Sequence, residues 1–430
     1  MFINKIRLYN YRNFSDKELF FKKGINVLYG NNGAGKTNIL EAINYISQFS
    51  SFKSSNRKDV IKLGNKYSFI QLEIFQNKIF QNEKFINAAE ISADAEIRTD
   101  GELEKTRINE KTVSKKSLKE LYRTVVYQPQ TANIIYNSAG NLRNFLDKEL
   151  ININNNLEED FKKLKICLYQ RGLILKAFDF QKNPSEEILQ QFTNQLTELS
   201  AKISIGRLLF LKNLLPSINK IFCFLSGLKN KATQKEPNIT NNDLEENFSN
   251  INISINYISR YMPNLKLDSS QISNEKKDLF INQAKQNLRE CFMKVLLNEK
   301  KIGQNLIGAH RDKIIFTINY QPIEKILSTG QMQIFCLSLI LAISDMKTND
   351  QQNILLLDDV LAQIDERTKY RLFYFLKNKE QVFLTSTNEV SMNYDVAKKL
   401  LSGGFLKENG LNKKVFKEIM EDKIYNYEIK

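Results

Sequence analysis

Apolar and polar positions change period several times along the chain, and each change marks an element. Phe2–Tyr9 alternates as a strand, Asn10–Phe14 reads as a turn, and Ile25–Tyr29 is a short apolar run typical of a buried strand. Ile39, Leu40, Ala42, Ile43 and Ile46 then recur at helical spacing. Strand pattern returns at Ser68–Ile74, Lys78–Phe80, Ala88–Arg98 and Thr124–Tyr127, with Gly101–Lys119 read as a turn plus a short helix. From about 140 to 300 the period is helical, in Asn141–Leu150, Asp160–Phe178, Pro184–Leu215 and Asn274–Lys300, broken by one strand at Ile251–Tyr257. The longest of these helices starts with Asn183 as N-cap, Pro184 at the first position and Glu186 at the third, and Pro216 marks its end. Lys229–Ser249 reads as a loop or mobile tip. Strands resume at Lys313–Asn319, Asn353–Leu357 and Gln381–Thr385, with a helix at Gln331–Met346. The unbroken apolar run Ile354–Leu357 is what a parallel strand covered on both faces requires. The expected fold is therefore an α/β head, a mixed sheet with helices, built from residues 1–130 and 301–430, with a mainly helical lobe, 131–300, inserted between the halves.

Composition narrows the partners. The 430 residues carry a net charge of +15, which favours a polyanion, most simply nucleic acid, although lysines spread as a solubility coat give the same sum. The abundance of Asn, Lys and Ile and the lack of Trp read as genomic composition bias. Cys167, Cys223, Cys291 and Cys336 fit no zinc or CxxC spacing and read as buried thiols of a reducing compartment. The first residues alternate as a strand start and not as a signal peptide, and no apolar run approaches the ~20 residues of a membrane span. A cytoplasmic protein without membrane partners is expected.

The first chemistry-bearing segment lies between the strand at 25–29 and the helix after it. Gly30, Asn31, Asn32, Gly33, Ala34, Gly35, Lys36 and Thr37 fit G-x-x-x-x-G-K-[ST], the phosphate-binding P-loop. Glycines let the backbone turn its N–H groups onto an anion, and the helix start adds its positive end. Lys36 is expected to reach the β- and γ-phosphates of ATP, Thr37 to hold Mg²⁺, and Asn38 to lie among the nucleotide contacts. The rival reading, a chance glycine turn, does not explain the flanking strand and helix.

The second segment is Asp358-Asp359, directly after the buried strand. Asp358 is placed as a Walker B ligand of the same Mg²⁺, and Asp359 can orient the attacking water as general base; two acids opening a turn is the bland alternative. Leu327-Ser328-Thr329-Gly330-Gln331 opens a helix and resembles the signature motif of ABC-type ATPases, whose serine touches the γ-phosphate held by a second subunit. Ser328 with Gln331 is also a capping box, and the two readings are compatible. Leu361-Ala362-Gln363-Ile364-Asp365 resembles the D-loop, which places Asp365 at a dimer contact.

The chain resembles the RecF family of bacterial DNA replication and repair proteins within the ABC/SMC-type ATPases. The resemblance rests on Leu8–Phe14, Ser51–Arg57, Asn141–Asp147, Gln170-Arg171, Gly308–Asp312 and Gln381–Thr387, besides the P-loop, signature, Asp358-Asp359 and D-loop segments. It implies ATP and Mg²⁺ as ligands, Arg12 and Gln128 among the nucleotide contacts, and a head-to-tail homodimer formed on ATP. It also implies binding of double-stranded DNA at single-strand gaps, with RecO and RecR as partners that help RecA load. Lys53, Arg57, Lys58 and Lys62, and Lys162, Lys163 and Lys165 of the helical lobe, are the candidate DNA-phosphate contacts, each with a solvated face as its plainer explanation. The chain departs from the family pattern at Ala309, Lys313, Tyr127-Gln128-Pro129-Gln130-Thr131 and Gln363, and offers only hydroxyls near Ser386 where transporter ATPases carry a switch histidine. Slow, switch-like hydrolysis is therefore expected. His310, the single histidine, reads as structural support first, with a site role beside Arg311 and Asp312 as the alternative. An SMC-type head, a transporter ATPase subunit and a non-hydrolysing ATP-binding DNA scaffold are the rivals.

Overall fold

The computed structural model describes residues 1–81, 84–98, 103–114, 117–118, 120–131, 139–154, 156–179, 185–227, 252–262, 276–346, 353–393 and 423–430. The loop at Lys229–Ser249 and the helix start at Asn183-Pro184 lie outside the described residues. The chain forms two compact units: Met1–Thr131 with Phe224–Gly227 and Gln333–Lys430, and Ala132–Cys223 with Leu228–Met332. Residues 301–332, grouped in the sequence reading with the C-terminal half of the head, cluster here with the second unit.

The first unit contains two sheets. One is antiparallel, in the order β2 (Phe14–Phe20), β1 (Phe2–Tyr11), β4 (Tyr67–Gln81), β5 (Lys84–Arg98), β6 (Leu103–Ile108), β7 (Lys111–Thr112). Ile3, Ile6 and Leu8 are all fully buried although the first two are three positions apart, because a register shift between Ile3 and Lys5 restores the inward phase. Two strands read apart at 68–74 and 78–80 are the single strand β4, and the stretch expected as turn plus helix at 101–119 contains the hairpin β6–β7. Its two-residue turn, Asn109-Glu110, has φ of 47° and 66°, the left-handed pair that matches strand twist.

The other sheet is entirely parallel: β14 (Ile424–Glu428), β3 (Gly24–Tyr29), β13 (Gln381–Ser386), β12 (Asn353–Leu357), β8 (Arg123–Tyr127). Both ends of the chain thus build one sheet, as the apolar runs imply. Helix α1 (Lys36–Gln48) packs Ile39, Leu40, Ile43 and Ile46 into one core with β1, β4 and β5 of the first sheet and with Leu28, Leu356 and Phe383 of the second. Each such side chain contributes roughly 1.5–3 kcal/mol of burial.

The second unit includes α2 (Ala139–Ile153), α3 (Asn156–Asp179), most of α4 (Glu186–Ser226), α5 (Lys277–Ile302) and the antiparallel sheet β11 (Gln321–Pro322), β10 (Lys313–Ile318), β9 (Ile253–Ile258). Helix α4 continues through Pro216, where the sequence reading ends it. An interior proline costs about 3 kcal/mol. Leu214, Ile218, Phe222 and Leu225, all fully buried on one face, more than offset that cost. With this length, α4 has an 18-residue window of mean hydropathy 1.4 and meets the length and composition of a membrane span, contrary to the sequence reading. Half of that window is buried inside the protein, as in a core helix.

Two buried charge clusters hold this unit together, and they account for several family-resembling segments. Arg171 donates to Glu299 (2.6 Å), Asn305 (2.7 Å) and Thr193 (2.9 Å), with both charged side chains at 0% exposure. Arg207 donates to both oxygens of Asp147 (2.6 and 2.8 Å) and to the Ala309 carbonyl (2.6 Å). Asp312 accepts hydroxyls from Ser204 (2.6 Å), Tyr257 (2.7 Å) and Tyr261 (3.0 Å), while burial pushes its carboxyl pKa up against the pull of Arg207. Arg143 donates to the Asp312 carbonyl (2.9 Å). His310 keeps Nε2 within 3.3 Å of the Asn305 carbonyl, and its Nδ1 is buried without a hydrogen-bond partner. Burial pushes the His310 pKa down to about 4.

Candidate functional site

The order β3, β13, β12, β8 sets the carboxyl ends of four parallel strands side by side, where ligands of open α/β sheets bind. The P-loop leaves β3 at this edge. Gly30 (φ 145°) lies so close to the Ile429 carbonyl that a Cβ would come within 2.3 Å of its oxygen. Gly35 (φ 101°) is packed on Phe14 and Asn13 in the same way, at 2.5 and 2.7 Å. At Gly30 the clash is with backbone and excludes any side chain; at Gly35 the neighbours are side-chain ends, and the positive φ is what strains any other residue. Gly35 is the N-cap of α1 and brings no capping side chain, so the first N–H groups of the helix stay available to an anion.

The side chains around the loop are pre-arranged. Lys36 Nζ donates to the carbonyls of Gly30 (2.6 Å) and Asn31 (2.9 Å). The Thr37 hydroxyl donates to Asp358 Oδ1 (2.9 Å), which brings the two expected metal ligands together. Asn13 donates to the Ala34 carbonyl (3.2 Å), Asn38 to Asn13 Oδ1 (2.8 Å) and Lys53 to Asn38 Oδ1 (2.6 Å), which brace the loop from outside. A cleft of about 650 Å³ opens here. Its walls are Asn32, Gly33, Gly35, Lys36, Thr37 and Asn38, then Phe52 and Lys53, Gln128 to Gln130, Asp358 and Asp359, and Thr385 and Thr387. Burial lowers the Lys53 pKa, and burial together with the charge of Asp358 raises that of Asp359 while Lys36 opposes. Asp359 has φ 51°, a left-handed conformation that is strained for a residue with a Cβ.

Not every candidate residue lines this cleft. Arg12, also left-handed at φ 52°, sends its guanidinium to the fully buried Glu41 of α1 (2.8 and 2.5 Å) and to the Asp59 carbonyl (2.5 Å), so it braces α1 and does not line the cleft. Lys53, counted above with the DNA contacts, is among the residues lining the P-loop cleft. Arg57 and Lys58 lie in the short turn Arg57–Val60, and Lys62 donates to Ser15 (2.5 Å). Lys162 and Lys163 pair with Glu158 (2.7 Å) and Glu159 (2.6 Å) one helical turn before them, and Lys165 is exposed. Ser328, Gly330 and Gln331 belong to the second unit. There Ser328 and Gln331 form the reciprocal capping box (3.0 and 3.3 Å) at the start of helix α6 (Thr329–Asp345), and a Cβ on Gly330 would meet nothing within 4 Å. Asp365 caps helix α7 (Glu366–Leu376) by accepting the Thr368 N–H (2.7 Å). Gln363 accepts the hydroxyl of the buried Tyr127 (3.0 Å), so these two departures from the family pattern are bonded to each other.

Sequence reasoning missed Glu41, Thr385, Thr387 and Phe52. Glu41 carried a signal, an acid among the apolar positions of α1; Phe52, Thr385 and Thr387 fall in the family-resembling segments Ser51–Arg57 and Gln381–Thr387, with nothing to single out the individual side chain.

The donor set fits Mg²⁺: a carboxylate and a hydroxyl, both hard oxygens, converge where the P-loop meets β12. Among the described residues no group of three or more His, Cys, Asp or Glu side chains suits a metal.

Comparison with known proteins agrees with this picture. The chain is 26% identical over 412 residues to the DNA replication and repair protein RecF of Bacillus subtilis, covering 95% of this chain and 99% of that protein. It is 27% identical over 417 residues to the RecF of Natranaerobius thermophilus, covering 95% and 97%. A solved structure of the recombination mediator protein RecF with ATP superposes with a TM-score of 0.72 at 23% identity, over 91% of this chain and 93% of that one, which establishes a shared fold. The sequence profile of the RecF/RecN/SMC N terminal domain family matches residues 2–412, and the chain belongs to that family.

Proposed function

We propose that this protein is an ATP-dependent DNA-binding protein of replication and recombinational repair, in which ATP acts as a switch. The observation that carries the reading is the Thr37–Asp358 hydrogen bond in the P-loop cleft. Lys36 leaves the Gly30 and Asn31 carbonyls for the β- and γ-phosphates, which the free N–H groups of α1 also receive. Thr37 and Asp358 would hold Mg²⁺, which when bound would neutralise charge on the phosphate oxygens. Asp359 takes the proton of the attacking water, and its raised pKa suits that task. Gln128 lines the same cleft, and Arg12 serves it indirectly by holding α1 through Glu41.

The head is contributed by both ends of the chain around the inserted lobe. Ser328, Gly330 and Gln331 form a helix start that meets the γ-phosphate on a second copy, and Asp365 lies in the same contact. ATP thus closes a homodimer, and slow hydrolysis opens it. The closed dimer binds double-stranded DNA at single-strand gaps through its positive charge, reading backbone and shape. RecO and RecR are its partners in loading RecA, and the cytoplasm is its place. Relatives named DNA replication and repair proteins over nearly their full length support the reading.

The test is a gel shift on gapped and plain duplex DNA, with and without ATP, over a salt series. Tighter binding to gapped DNA with ATP is expected, with sedimentation showing a dimer under the same conditions. Binding that ignores ATP would remove the switch and leave a scaffold.

A further inference from the structure

Strand β13 lies between β3 and β12, and Thr385 sits near its carboxyl end. Thr385 is in register with Leu28 of β3, while its neighbour Leu384 is in register with Leu357 of β12. The residue therefore emerges from the sheet at the level where one neighbouring strand hands over to the P-loop and the other to Asp358-Asp359. It is 2% exposed.

Its single oxygen makes two hydrogen bonds of opposite sense. The O–H donates to Asp358 Oδ1 (2.9 Å), and the oxygen accepts the N–H of Asp359 (2.8 Å). The same Asp358 oxygen accepts the Thr37 hydroxyl (2.9 Å), so it is held from α1 on one side and from β13 on the other. The bond to the Asp359 N–H sits on the residue whose backbone is left-handed at φ 51°, and so helps to keep that strained conformation. A β-branched residue suits a buried strand position, but valine would fill it equally well and leave both bonds unmade.

We propose that Thr385 is a positioning residue for ATP hydrolysis: one buried hydroxyl orients Asp358 towards the metal and Asp359 towards the attacking water, and so ties metal binding to water activation. This rests on the ATPase reading above. Groups that orient a metal ligand from behind typically influence affinity or rate by about 10- to 100-fold.

The experiment compares Thr385→Val and Thr385→Ser with the wild-type full chain in three measurements. These are ATP binding, single-turnover hydrolysis, and Mn²⁺ affinity of the nucleotide complex by electron paramagnetic resonance. Thr385→Val is expected to bind ATP within about twofold of wild type, to hydrolyse it roughly 10- to 100-fold more slowly, and to hold Mn²⁺ about tenfold more weakly. Thr385→Ser, which keeps the hydroxyl, restores most of both. Thermal melting checks the fold, and Thr385→Ala replaces the valine variant if that one melts early. Wild-type rate and Mn²⁺ affinity in Thr385→Val would overturn the role of Thr385 while leaving the ATPase reading in place. Equal impairment of Thr385→Ser and Thr385→Val would assign the effect to shape and overturn it too. A wild-type chain that binds no nucleotide would overturn both readings.

Discussion

Thr37 and Asp358, 321 positions apart in the chain, are joined by a 2.9 Å hydrogen bond. The parallel pairings of β3 with β13 and of β13 with β12 bring them together, so the sheet itself forms this pair. Replacing Asp358 by Asn keeps the shape and removes the charge. The expected outcome is a loss on the order of a hundredfold or more in the Mg²⁺-dependent rate, because a metal at the phosphates supplies several kcal/mol. Single-turnover hydrolysis across a Mg²⁺ titration measures it.

Asp359→Asn separates binding from chemistry. Asparagine tolerates the left-handed backbone found at this residue, so the fold should persist. Hydrolysis is expected to fall by about 10²- to 10⁴-fold, the usual contribution of a general base, with ATP affinity unchanged. Equal hydrolysis by variant and wild type would exclude the base role.

The pair Arg171–Glu299 is completely buried, and Glu299 also accepts the Leu306 N–H (2.7 Å). Glu299→Gln leaves a buried guanidinium without its counter-charge. The expected cost is about 3–5 kcal/mol, read as a lower urea midpoint. The exposed pair Lys163–Glu159 is the control, since Glu159→Gln should leave the urea midpoint essentially where it is.

His310 makes stability depend on pH. Its folded pKa is about 4, below its ordinary value of 6.5, so the unfolded chain binds the proton more readily. The stabilising contribution is complete above about pH 6.5 and is lost as pH falls towards 4, at up to about 1.4 kcal/mol per pH unit. Urea unfolding of wild type and His310→Gln between pH 4 and 7.5 should show a shallower dependence in the variant.

The sequence made the P-loop, the strand Asn353–Leu357 and the two acids after it readable, because each is local: a glycine pattern, an apolar run and a charge at its end. It also made readable that the two ends of the chain share one sheet. What it hid depends on neighbours remote in the chain. Pro216 reads as a stop, and only the burial of Ile218 and Phe222 carries the helix past it. Arg12 looks like a free cation for a ligand until the turn at φ 52° aims it at Glu41. Thr385 is one hydroxyl in an apolar strand, and no spacing rule distinguishes it from a residue that merely packs. Lys53 sits in a basic run, and only the fold separates it from Arg57 and Lys58.

Strand β3 is paired on one side with β13 and on the other with β14, and Gly30 rests against Ile429. During synthesis the P-loop segment leaves the ribosome well ahead of the strands that flank β3, which follow it by roughly 350 to 400 residues. At ~5–20 residues per second the interval is about 20 to 80 s. A nascent chain halted before β12 holds the P-loop sequence but not the sheet that shapes it, so nucleotide capture has to wait for β12 and β13. The exposed edges of β3 have to be protected over that interval, which makes this strand the point at which interrupted synthesis would lead to aggregation.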